Sequence, residues 1–152
     1  MDTNVSLKLE HVFDIRIEFG ERFTFGPVVG GGRQGYTPPS GGVIEGPRLN
    51  GRVVPMSGAD YATVRADGIV DLNAHYLLQA KDGTYIYIVN RGYISPATAG
   101  KPGAQPAYFV CTPQFKVPIG PHDWLTRTVI VGSGERRSSP DHTIFRYYAV
   151  VP

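Results

Sequence analysis

The sequence predicts an all-β protein, a single antiparallel barrel of about seven to ten strands formed by residues 1–152 as one domain. Three observations predict it. Glycine and proline are abundant, at 19 and 13 residues, while the good helix formers never gather into a long amphipathic run. Several stretches alternate polar and apolar residues with the period of two that belongs to a half-buried strand. The strand-like runs are short and bounded by turn formers, in the number that closes a small barrel.

The elements follow in order. Between Leu7 and Phe19, residues Phe13, Ile15, Ile17 and Phe19 alternate with Val12, Asp14, Arg16 and Glu18, which predicts the first strand. The stretch Gly26 to Gly46 carries many glycines and the pair Pro38-Pro39, so it reads as a long loop or bulged ribbon, with Tyr36 as a side chain able to cover a cavity mouth. Short runs near Arg52 to Val54 and Ala62 to Val64 are further strand candidates. From Ile69 to Arg91, two β-rich runs flank Asp82-Gly83, which predicts a hairpin with a two-residue turn. That turn would pair Gln79 with Ile86, Leu77 with Ile88 and His75 with Asn90. One face would carry Asp71, Asn73, His75 and Asn90, the other Leu72, Ala74, Tyr76, Leu78, Tyr85, Tyr87 and Val89. Either face can line the barrel: the aromatic face as core, or the polar face as a ligand site with Tyr85 and Tyr87 left for a subunit interface. After a Pro- and Gly-rich connection, the runs Tyr108 to Thr112, Leu125 to Val131 and Thr143 to Val151 complete the strands.

Composition excludes several classes. A hydrophobic share of 41% with 18% charged residues suits a folded domain. The net charge of +2 is small, and Arg136-Arg137 is the only adjacent basic pair, so neither a nucleic-acid surface nor a membrane surface is expected. No apolar run approaches the length that crosses a bilayer. The one cysteine, Cys111, cannot form an internal disulfide, and the start MDTNVSLKLE lacks the blocks of a secretion signal, so a reducing cytoplasm is the expected compartment. The four histidines have no zinc-like spacing and no metal is expected. GGGRQG and GSGERR are weak phosphate-loop matches, since neither ends in GK[ST].

The segments GPRLNGRVVPMSGADY, DGIVDLNAHYLLQAKDGTYIYIVNRG, AYFVCTPQF and HDWLTRTVIVGSGERR stand in this order along most of the chain. Together they resemble the DUF3237 (UPF0311) family of uncharacterised proteins. The resemblance implies a calycin-like or lipocalin-like barrel and leaves the activity open. This chain has Asn73 and His75 where the family tends to have Asp and Arg, and Tyr61 where it tends to have Trp, which replaces a permanent cation by a group that titrates near neutral pH.

The residues that could do chemistry are His75 and Asp60 as an acid/base pair, with Arg48, Asn73, Tyr61, Trp124 and Tyr36 as substrate-binding groups. A carboxylate orients an imidazole, an arginine neutralises a developing enolate, and the aromatic rings present apolar faces. Such a set suits a cofactor-free isomerase, cyclase or lyase acting on an apolar or aromatic metabolite. A carrier of a hydrophobic small molecule would use the same residues only to orient it. A structural protein would bury the aromatic hairpin face in a homo-oligomer. Each residue also has a structural reading: Asp60 as a turn carboxylate, Arg48 as a surface ion-pair partner, Trp124 as core and His75 as a solvent-facing polar residue. His122 and Asp123 form a second, weaker acid/base candidate.

Overall fold

The computed structural model describes residues 3–97 and 104–152; the middle of the Pro- and Gly-rich connection, 98–103, lies outside them. Twelve strands are described: β1 (Lys8–Phe19), β2 (Phe23–Phe25), β3 (Arg33–Tyr36), β4 (Pro39–Glu45), β5 (Gly51–Val53), β6 (Ala59–Asp60), β7 (Thr63–Val64), β8 (Val70–Ala80), β9 (Tyr85–Ser95), β10 (Tyr108–Lys116), β11 (Ile130–Ser138) and β12 (Asp141–Val151). Eight of them close a ring, β8-β5-β4-β1-β12-β11-β10-β9 and back to β8, all pairs antiparallel. Closure removes the exposed edges that an open sheet would present. The stretch from Gly26 to Gly46, read as a long loop or bulged ribbon, contains the strands β3 and β4, and the run expected as a strand from Leu125 begins as a 3-10 helix, Asp123–Thr126.

Strand β8 organises the site because its one edge pairs in succession with three short strands: β5 at Leu78 to Ala80, β6 at Ala74 and His75, and β7 at Val70 and Asp71. Strand β7 continues into β3 and β2, which form a flap over that end of the barrel.

The hairpin β8–β9 differs from the sequence expectation by one residue. Ala80 and Thr84 are joined by the Ala80 N–H donating to the Thr84 carbonyl (2.9 Å), closing a three-residue loop Lys81-Asp82-Gly83 with Gly83 at φ +92°. This is the turn that ends in a left-handed glycine and bulge. The extra residue pairs Gln79 with Tyr85, Leu77 with Tyr87, His75 with Val89 and Ala74 with Asn90. A slip of one residue exchanges the faces of β9. Tyr85, Tyr87 and Val89 therefore point outward, and Ile86, Ile88 and Asn90 point into the barrel beside Leu72, Ala74, Tyr76 and Leu78.

The interior is packed at one end and hollow at the other. Phe13, Leu78, Ile86, Ile88, Phe115, Leu125 and Ala149 fill the end next to the 3-10 helix, each large side chain contributing on the order of 2 kcal/mol by burial. Gly132 and Gly134 on β11 leave slots for rings: a Cβ would stand 2.7 Å from the Tyr147 ring at the first and 2.6 Å from the Phe109 ring at the second. GSGERR is thus a strand shaped for aromatic neighbours.

Candidate functional site

The hollow half contains a cavity of about 250 Å³. Its walls are largely apolar, formed by Ile17, Phe19, Leu72, Ile94, Phe109 and Phe145 among others, with small residues from the flap above it. Into these walls the fold sets Asp60, Tyr76, Asn90 and Thr143, and at the more exposed rim Arg22 and Arg136.

Asp60 owes its place to the segment Ser57-Gly58-Ala59. The Ser57 hydroxyl donates to the Val54 carbonyl (2.7 Å) and accepts the Leu77 N–H (2.9 Å), tying the segment to β8. Gly58 then passes so close to β8 that a Cβ would lie 1.7 Å from the His75 carbonyl oxygen. Ala59 is buried and Asp60 pairs with Ala74, so its side chain shares the inner face. Asp60 Oδ1 accepts the Asn73 backbone N–H at 2.9 Å. Burial nevertheless pushes the carboxyl up to about 6: the Asn73 N–H opposes this and Asp71 adds to it.

The register arranges the polar groups around one small side chain. Asp60 and Asn90 are the two lateral partners of Ala74, on β6 and β9, which separates their backbones by two strand spacings, roughly 10 Å. Tyr76 is the next inward residue of β8, one step toward the packed end. Tyr76 and Asn90 are 2% and 1% exposed, and the Tyr76 hydroxyl and Asn90 Oδ1 have no hydrogen-bond partner among the described residues, as is also true of the neighbouring Tyr147 hydroxyl. Burial raises both tyrosines far above the usual phenol range and pushes the Cys111 thiol up to about 11, so all three stay protonated at neutral pH.

At the rim, the Arg22 and Arg136 guanidiniums lie 4.6 and 5.5 Å from the centre of the Phe19 ring. Both donate to the Asp141 carboxylate, and Arg136 also donates to Thr143 Oγ1. Two cations facing one carboxylate leave a net positive rim.

Of the residues singled out in the sequence, only Asp60 lines this cavity. His75 faces outward on β8: its Nε2–H donates to Asn73 Oδ1 (2.8 Å) and, in the neutral ring, its Nδ1 accepts from the Tyr87 hydroxyl (2.6 Å). The alternation of β8 forces this, since Ala74 and Tyr76 on either side point inward. Asn73 contributes through its backbone alone. Tyr36 and Tyr61 meet away from the cavity, ring centres 5.6 Å apart and planes tilted by 49°, and Tyr61 is 50% exposed. Arg48 and Trp124 meet at the opposite end of the barrel, guanidinium 3.7 Å from the indole centre. His122 bonds the hairpin turn at Asp82 (2.8 Å) and Asp123 bonds Arg127 (2.7 Å), so that candidate pair is divided. The residues missed were Tyr76, Asn90, Arg22, Arg136 and Thr143. Asn90 did carry a signal, a lone amide in the apolar run TYIYIVNR, but the register needed to aim it was off by one.

The model of the family described as a protein of unknown function, DUF3237, matches residues 7–150. The chain belongs to the DUF3237 family. A UPF0311 protein of Clostridium acetobutylicum is 30% identical over 97% of this chain and 98% of its own length. A crystal structure of a β-barrel like protein from Acinetobacter baumannii superposes with a TM-score of 0.86 at 26% identity, covering 99% of both chains. A hydroalkoxylation enzyme, PhnH, of Penicillium herquei is 38% identical over 55 residues, 36% of each chain. A crystal structure of an enzyme from the same organism superposes with a TM-score of 0.77 over 99% of this chain and 98% of its own at 20% identity, which shows that the two share the barrel fold.

Proposed function

We propose that this DUF3237 protein is an acid/base enzyme, an isomerase or cyclase that moves a proton within a small, largely apolar substrate held in the hollow half of the barrel, with Asp60 as the proton donor and acceptor. The observation that carries this reading is a carboxyl group built into the wall of an otherwise apolar cavity. A protonated carboxyl there can give its proton to carbon, and apolar surroundings keep it competent near neutral pH. The partial relative named for hydroalkoxylation supports the class, because addition of an O–H across a carbon–carbon double bond is such a transfer.

For an internal addition the step balances without a redox partner. The substrate hydroxyl oxygen bonds to one alkene carbon, the Asp60 proton goes to the other, and the hydroxyl proton restores the carboxyl. The positive rim at Arg22 and Arg136 favours substrates in which negative charge develops at that end. His75 has no part in this scheme, since it stands on the far side of β8 from the cavity.

The test is cyclisation of hydroxyaryl alkenes, with 2′-hydroxychalcone as the first of the panel, in deuterium oxide, read by mass spectrometry. The expected result is ring closure with one deuterium on carbon, faster than the spontaneous rate, and a return to the spontaneous rate in Asp60→Asn. Equal rates for the two proteins across the panel would overturn the assignment.

A further inference from the structure

We propose that Tyr76 and Asn90 form a recognition subsite for a substrate hydroxyl at the floor of the cavity, so that the ligand is a phenol or alcohol with an apolar body, entering hydroxyl first. This deepens the acid/base reading by naming the end of the substrate that the barrel grips, through a hydroxyl other than the one whose oxygen attacks the alkene.

The argument starts from hydrogen-bond satisfaction. Buried polar atoms in folded proteins nearly always have partners, and an orphan costs the desolvation of its group. Here a tyrosine hydroxyl and an amide oxygen are both orphaned, both belong to residues almost wholly buried, and both residues line the same cavity. The cavity is where a partner can come from. Within the protein the Tyr76 hydroxyl lies near the Tyr147 hydroxyl, close enough for each to affect the other's titration, and the Asn90 amide faces the Cys111 sulfur, yet neither hydroxyl nor Asn90 Oδ1 closes a hydrogen bond among the described residues.

The two atoms are chemically complementary to one group. Asn90 Oδ1 can only accept, and the Tyr76 hydroxyl can donate. A ligand hydroxyl donates to the first and accepts from the second. A carbonyl or ether would satisfy Tyr76 and leave Asn90 Oδ1 unpaired, and a hydrocarbon would leave both unpaired. A site built in this way rejects the analogue that lacks the hydroxyl more strongly than it attracts the correct one. Ala74 lies between Asn90 and Asp60 with only a methyl group, so a ligand gripped by Tyr76 and Asn90 lies alongside the Asp60 carboxyl, with its apolar body against Leu72, Ile94 and Phe109.

The experiment titrates the full chain with three matched probes by calorimetry or ligand-observed NMR: 4-propylphenol, 4-propylanisole and propylbenzene. Wild-type protein should bind the phenol about tenfold or more tighter than either analogue. Tyr76→Phe and Asn90→Leu should each bring the three probes to within about threefold of one another, chiefly by weakening the phenol, and thermal melts confirm that both variants fold. Asp60→Asn should keep the phenol preference, which separates this subsite from the proton-transfer reading: preference without turnover sinks the chemistry and leaves the subsite. Equal binding of the probes by wild type, a preference that survives both floor substitutions, or no binding of any probe up to its solubility overturns the subsite.

Discussion

Asp60 carries two opposed consequences of one environment. Its folded pKa near 6 stands above the unfolded value of 3.8 because burial disfavours the charged form. The folded state therefore binds a proton more tightly than the unfolded chain, and stability attributable to this group is lost as pH rises from about 4 to about 6. Above that window the ionised carboxylate destabilises the fold by an amount on the order of 3 kcal/mol. Asp60→Asn removes the titration and keeps an acceptor for the Asn73 N–H. The variant should be more stable than wild type at pH 7 to 8, with the gain shrinking to nothing below pH 4, as read by urea unfolding across pH. Parallel stability curves would mean that Asp60 is not in the apolar setting described. The same group sets the rate: if its protonated form starts the reaction, kcat/KM should fall as pH rises through about 6, and the variant should show no such limb.

At the scale of elements, the strand alternation was readable while the turn that aligns two strands was not. Leu72, Ala74, Tyr76 and Leu78 share a face in the sequence and in the barrel. Asp82-Gly83 marked the hairpin, but the dipeptide serves a two-residue turn and the last two positions of a three-residue turn alike. That single ambiguity set Asn90 on the face of Asn73 and His75, and Tyr85 and Tyr87 on the face of Leu72, Ala74 and Tyr76, whereas the register does the reverse. His75 was chemically the most attractive residue of β8, yet its position between two inward side chains fixed it on the outer wall. Arg22, Arg136 and Thr143 meet only through the closure of β12 onto β1 and β11, which no local pattern reports. The sequence singled out Asp60 in GADY, but what aims it is long-range: Gly58 lets β6 touch β8 at His75. Gly58→Ala forces a Cβ onto the His75 carbonyl. It should cost more than about 2 kcal/mol and should abolish turnover even below the melting temperature, because β6 must move away from β8. A variant with wild-type stability and rate would show that the close approach does not position the acid.

For the molecule as a whole, the question is how one barrel is both a folded core and a container. The two ends of β8 supply a direct comparison, since Ala74 and Ala80 are the same residue on the same face. Ala74 borders the cavity between Asp60 and Asn90, while Ala80 belongs to the packed core with Leu125 and Phe115 and sits beside Gly51, whose own Cβ would stand 2.9 Å from the Ala80 Cα. Adding three carbons to a close-packed interior forces strain that typically costs about 1–3 kcal/mol, whereas adding them beside an empty, mostly apolar volume buries new surface with nothing to displace except water. Ala80→Leu should therefore lower the melting temperature by several degrees and leave ligand binding intact in the protein that remains folded. Ala74→Leu should melt within a few degrees of wild type, yet lose the phenol-binding and proton-transfer signals together, because its side chain occupies the space between the acid and the hydroxyl subsite. If Ala74→Leu instead destabilises as much as Ala80→Leu, the hollow half is not free volume, and substrate chemistry must be sought outside the barrel. The contrast separates a container from a core with one strand and two substitutions of equal size.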